Sequence, residues 1–176
     1  MLFTLVKRQM NLSKLLKLLL PFIKTQEQLV EILRVLQPKK TILESAKAVL
    51  GIDASPRDYA PDELGCAESL ANVINAVEPS ISPTIVSTTK LFKTLDNSNK
   101  FERTLDIEAG NILISPTGYG NGGLTNGHCG VFITPTSIAS NDSIDGIWKE
   151  NYTLDKWIKR YRNKGGYPLY IFKYLG

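Results

Sequence analysis

The sequence predicts an α+β fold, with a helical N-terminal part and a small antiparallel sheet. Three observations lead there. Apolar residues recur at i, i+3, i+4 spacing through the first half of the chain. From about Phe101 they fall instead into short runs of strand length, separated by Gly, Pro, Asn and Asp. Helices first and strands later is the order of an α+β domain rather than of alternating βαβ units.

Taken in order, Leu12, Leu15, Leu16 and Leu19 form one helical stripe, and Leu29, Ile32, Leu33 and Leu36 form a second after the break at Pro21. Pro38 ends that helix, and a third is expected over 41–50, closed by Gly51. Residues 1–50 therefore read as a helical extension and 51–176 as the main domain. Residues 53–65 hold two X-Pro steps and read as a loop. A helix follows from Cys66 to about Val77, with Ala67, Leu70, Ala71 and Ile74 on one stripe. Thr88 or Thr89 is expected to cap a helix running to Leu95. Strands are expected over 101–106, 111–115, 128–134, 136–141, 146–149 and 168–174. Between the second and third of these, residues 116–127 hold five glycines and two asparagines, which reads as a long flexible loop. Thr153 is placed to cap a last helix carrying Leu154, Trp157, Ile158 and Tyr161.

The bulk composition narrows the function. The 176 residues are 43% hydrophobic and 22% charged, with a net charge of +4, so the chain can build a core and is not a disordered tail. No Lys/Arg run exceeds two residues and no aromatic-basic interleaving occurs, so no nucleic-acid partner is expected. The apolar stretch 15–23 is interrupted by Lys17 and Pro21 and is too short to span a bilayer; neither a signal peptide nor a transmembrane helix is expected. The amphipathic stripes over residues 12–36 either pack on the domain or offer weak contact to a membrane surface or a partner.

There are two cysteines, Cys66 and Cys129, and one histidine, His128. Any mechanism that needs an imidazole must use His128. Cys66 opens its predicted helix, where backbone N–H groups and the helix dipole favour a thiolate. Glu68 lies about 200° further round the helix and should point away. His128 and Cys129 are neighbours on a strand, so their side chains leave opposite faces, which argues against a zinc site using both. If 128–134 and 136–141 form a hairpin about Thr134-Pro135, His128 faces Asn141, and an amide there can hold the imidazole in one tautomer. A one-residue slip would reverse that assignment and bring in Asp142. On the residues alone Cys66 is either a thiol nucleophile, with His128 as base and Asn141 as third polar residue, or a buried packing cysteine. No metal or organic cofactor is expected. A Cys66–Cys129 disulfide without catalysis is the competing use of the two thiols.

A cysteine opening a helix, then Gly-His at the start of a strand, then a polar residue on the next strand, resembles the papain-like NlpC and CHAP families of cell-wall cysteine hydrolases. The resemblance lies in Gly65-Cys66-Ala67-Glu68-Ser69, in Asn111-Ile112-Leu113-Ile114-Ser115-Pro116, and in Gly127-His128-Cys129-Gly130-Val131-Phe132-Ile133. The tail from Tyr161 to Pro168 is similar to that of phage-associated, lysin-like members, and the likeness covers about residues 53–176. Asn111 stands where those families usually carry aspartate. The Trp-Gly-Gly and Asp-Cys-Ser-Gly strings are absent. The resemblance implies a papain-like fold and hydrolysis of peptide or amide bonds in the peptide stem of peptidoglycan. It also implies action at the bacterial cell wall, reached from a phage virion or from the host cytoplasm at lysis. Tyr59 would then match a tyrosine that some members place near the substrate. Two other uses of the same residues are a catalytically silent wall-binding or virion module, and a deamidase or transamidating toxin acting on protein.

Overall fold

The computed structural model describes residues 25, 26, 28, 40–55, 61 and 64–176. The chain divides into two units, Met1–Lys39 and Lys40–Gly176. The stripes expected over 12–36, and Tyr59, lie outside the described residues. The second unit holds the sheet, the helices packed on it and both cysteines.

Helix α1 (Ile42–Ala48) opens on a capping box in which Thr41 and Glu44 satisfy each other's backbone N–H groups. Its Ile42 and Ala46 belong to the core of this unit. Helix α2 (Cys66–Asn75) buries Leu70, Ala71 and Ile74, the stripe its sequence spacing predicts. Helix α3 (Thr88–Asp96) is capped by Ser87, whose side chain accepts from the Lys90 N–H. Thr88 and Thr89 are not the cap; their hydroxyls turn instead to Thr117.

Six strands follow: β1 (Phe101–Thr104), β2 (Ile112–Ser115), β3 (His128–Phe132), β4 (Ser137–Asn141), β5 (Trp148–Thr153) and β6 (Tyr170–Tyr174). They make one antiparallel sheet in the order β1-β6-β2-β3-β4-β5. The α+β class with an antiparallel sheet is thus the observed one. Both faces of the central strands are covered, which is why β2 and β3 are buried at every position rather than at alternate ones. One face packs on the helices through Ile112, Ile114, Cys129, Val131, Ala139 and Trp148. The other packs on Trp157, Tyr161 and Tyr167 through Leu113, Phe132 and Ile138.

Three details depart from the sequence expectation. The β3–β4 hairpin pairs Val131 with Ala139 and Phe132 with Ile138. A His128–Asn141 pairing would have required Val131 opposite Ile138, so the true register is offset by one residue. Strand β5 runs on to Thr153, and a bulge between Ile138 and Ala139 leaves Asn151 without a partner: Ile138 faces Tyr152, and Ala139 faces Glu150. Thr153 does cap helix α4 (Leu154–Trp157), accepting from the Lys156 N–H, but after one turn the helix widens into a π-helix over Ile158–Lys164.

The glycine-rich segment 116–127 is tied down rather than loose. The Asn121 N–H donates to the Gly165 carbonyl at 2.9 Å, and the Tyr167 hydroxyl donates to the Leu124 carbonyl at 2.9 Å. At its end the Gly127 N–H donates to Thr117 Oγ1 at 2.9 Å. Glycine is required at 127, because a Cβ there would collide with the Ser115 carbonyl oxygen. The segment thereby delivers His128 to the first position of β3. No described helix is long and apolar enough to cross a membrane.

Candidate active site

Cys66 is 9% exposed and His128 7% exposed. Both line a cleft of about 660 Å³, together with Asn141, Asn151, Tyr152, Arg160 and Tyr161. A second concavity, along α3 at Ser87, Lys90 and Lys93, has neither Cys66 nor His128 in its wall. The fold therefore brings Cys66 and His128, the two residues that the sequence pairs, into the wall of one cleft.

Cys66 is the first residue of α2, after a Gly65 cap that contributes no side-chain hydrogen bond. Its thiol pKa is held well below the usual cysteine range. The largest cause is a hydrogen bond from the Cys129 thiol; burial opposes it; the charge and hydrogen bond of His128 and the Ala67 N–H add to it. Cys129 moves the other way, pushed up first by burial and then by the neighbouring Cys66 thiolate. Of the two thiols, Cys66 is the more acidic. Cys129 is fully buried on the helix-facing side of β3, and its Sγ lies 3.2 Å from the Cys66 carbonyl oxygen, which accepts its one proton while Cys66 is a neutral thiol. Both cysteines are free thiols. Cys129 therefore meets Cys66 as a free thiol and not as a disulfide partner. Glu68 is fully buried.

His128 leaves β3 on the opposite face and enters an aromatic cage. Its ring lies 5.1 Å from Trp157, 5.5 Å from Tyr152 and 5.5 Å from Tyr161, the last stacked at 15°. Trp157 is fixed in turn by its Nε1–H donating to Ser115 Oγ at 3.1 Å. Burial pushes the Tyr161 phenol up, as does its hydrogen bond with Tyr152, so the stacked ring stays neutral.

The imidazole Nε2 lies 2.9 Å from Ser140 Oγ. The Ser140 hydroxyl donates to Asn151 Oδ1 at 2.7 Å. A hydroxyl has one proton, and here it is committed to Asn151. Ser140 must therefore accept from an Nε2–H, which leaves Nδ1 as the basic nitrogen for the Cys66 thiol. The one-residue offset in the hairpin is what puts Ser140, rather than Asn141, on the face of His128. Asn141 is buried on the helix side, accepts from Ser69 Oγ at 3.3 Å, and still lines the cleft. Asp142 lines the cleft too, with its carboxylate 3.2 Å from Lys149 Nζ.

Sequence reasoning missed Ser140, Asn151, Tyr152 and the cage roles of Trp157 and Tyr161. Spacing could have offered Trp157 and Tyr161, four apart on one helical stripe. Nothing in the sequence announces the bulge that aims Asn151 at Ser140. Among the described residues no group of three or more His, Cys, Asp or Glu is arranged to hold a metal. No family model and no curated protein matches this chain.

Proposed function

We propose that this protein is a cysteine-dependent hydrolase of peptide or amide bonds, and that its substrate is the peptide stem of peptidoglycan. The observation that carries the proposal is the Cys66–His128 pair in one cleft, with the imidazole held at Nε2 by the Ser140–Asn151 relay. A lowered thiol pKa and a base of fixed tautomer are what nucleophilic catalysis by sulfur requires. A papain-like reading of the fold is supported by a helix that starts on the nucleophile and packs against an antiparallel sheet whose strand starts on the base.

In this mechanism His128 Nδ1 takes the Cys66 proton and the thiolate attacks the scissile carbonyl. The Cys66 backbone N–H, at the helix start, donates to the oxyanion. The imidazolium then protonates the leaving amine, giving an acyl-thioester. His128 next takes a proton from water, the hydroxide adds to the thioester, and the carboxylic acid leaves as the thiolate returns. Ser140 and Asn151 take the orienting role that residue spacing had assigned to Asn141.

The test is release of soluble fragments from purified peptidoglycan by wild type and Cys66→Ala, read by mass spectrometry. Fragments from wild type alone support the proposal, and their masses name the bond. No fragments, with Cys66 still alkylated fast at neutral pH, would move the substrate to a protein amide. No fragments and a sluggish thiol would leave a silent wall-binding or virion module.

A further inference from the structure

Among the described residues, only two charged side chains, Asp142 and Arg160, line the cleft beside the His128 imidazole. They differ in how they are matched. Asp142 Oδ2 pairs with Lys149 Nζ at 3.2 Å, and its Oδ1 accepts from the Ile144 N–H at 2.9 Å. Arg160 forms no ion pair with a carboxylate among the described residues. Its guanidinium lies 5.6 Å over the Tyr161 ring, the same ring that stacks on His128. The ring contact holds the guanidinium at the cleft wall, and no carboxylate among the described residues takes up its N–H donors. The π-helical turn supports this placement: the Gly165 N–H reaches back to the Arg160 carbonyl, fixing the wide turn on which the side chain stands.

We propose that Arg160 is a specificity-determining residue that binds a carboxylate of the substrate, so that the cleft selects acyl donors with a free carboxylate near the scissile bond. The proposal deepens the thiol-hydrolase reading and rests on it. A planar guanidinium and a carboxylate match in two parallel hydrogen bonds, and a guanidinium that has no carboxylate partner at the cleft wall favours an anionic ligand over its neutral isostere.

The test needs no natural substrate. Iodoacetate and iodoacetamide alkylate the same thiol and differ in one negative charge. Their rates with Cys66 are compared at pH 6.5 in the full-length wild type, Arg160→Gln and Arg160→Lys. The expected result is an iodoacetate-to-iodoacetamide rate ratio that falls about threefold to tenfold in Arg160→Gln and is partly restored in Arg160→Lys. An unchanged ratio in Arg160→Gln overturns the proposal, and so does an equal fall in both rates, which would mark a structural role. A wild-type thiol that reacts with either reagent no faster than free cysteine would instead remove the thiol-hydrolase reading, and the carboxylate site with it.

Discussion

On the helix-bearing face of the sheet, Cys66 is placed by backbone. It starts α2, and its thiol is tuned by the Cys129 thiol beneath it and the Ala67 N–H beside it. That layer is mainly aliphatic, with Leu70, Ile74, Ile112 and Val131 beside the rings of Phe92, Phe172 and Trp148. On the opposite face, His128 is placed by side chains. Three aromatic rings hold its plane, and the Ser140–Asn151 relay holds its tautomer. The two halves of the site thus belong to different layers of the core and meet at the cleft. The helix side should translate damage into lost stability, because an aliphatic core is held by burial and packing. The aromatic side should translate damage into lost turnover, because its hydrogen bonds set the base.

The largest effect should come from removing the base. His128→Ala should lower fragment release about a thousandfold, measured as initial rate on purified peptidoglycan. It should also slow iodoacetamide at neutral pH, since the thiolate loses the partner that shares its proton. Retained activity would place the base elsewhere and break the comparison at its centre. Next comes a helix-side truncation. Leu70→Ala should destabilise the fold by about 2–5 kcal/mol in urea unfolding, with activity per folded molecule kept. A loss of turnover without a loss of stability would show that the helix face does more than support.

A smaller effect tests the relay. Asn151→Leu frees Ser140 to donate to the imidazole, which then presents the wrong nitrogen to the thiol; kcat should drop about tenfold to hundredfold with KM little changed. Asn151→Asp keeps the acceptor and should restore most of the rate. Its negative charge stabilises the imidazolium, so the alkaline limb of the pH–rate profile should move up. Smallest is Cys129→Ala. The lost thiol was a donor to the Cys66 thiolate, so its removal raises the Cys66 pKa, and the acid limb of alkylation against pH should move to higher pH. An unmoved limb would assign the lowering to His128 and Ala67 alone.

Local signals were legible from the residues. The start of α2 at Cys66, the start of β3 at His128 and the Thr153 cap follow from neighbours in sequence, and the structure has each where the spacing put it. What was not legible depends on counting across strands. Ser140 and Asn141 are adjacent, both polar and both buried; only the register of a hairpin decides which one meets His128. The role of Asn151 depends on a bulge, and that of Tyr161 on a helix that widens after one turn. These are outcomes of packing between distant segments, and one residue of offset changes all of them.

The bulge at Asn151 also changes the parity of β5. Ahead of it, Trp148 points into the helix-side layer, where its Nε1–H donates to the Ala46 carbonyl at 3.1 Å. Four residues later an unbroken strand would point the same way, but Tyr152 joins the aromatic layer instead. One short strand therefore supplies both layers, and the extra residue acts as a phase shift between them. The same residues without the bulge would turn Tyr152 toward the helix-side layer, whereas deletion of Asn151 would keep Tyr152 in the aromatic layer and remove the acceptor of the Ser140 hydroxyl.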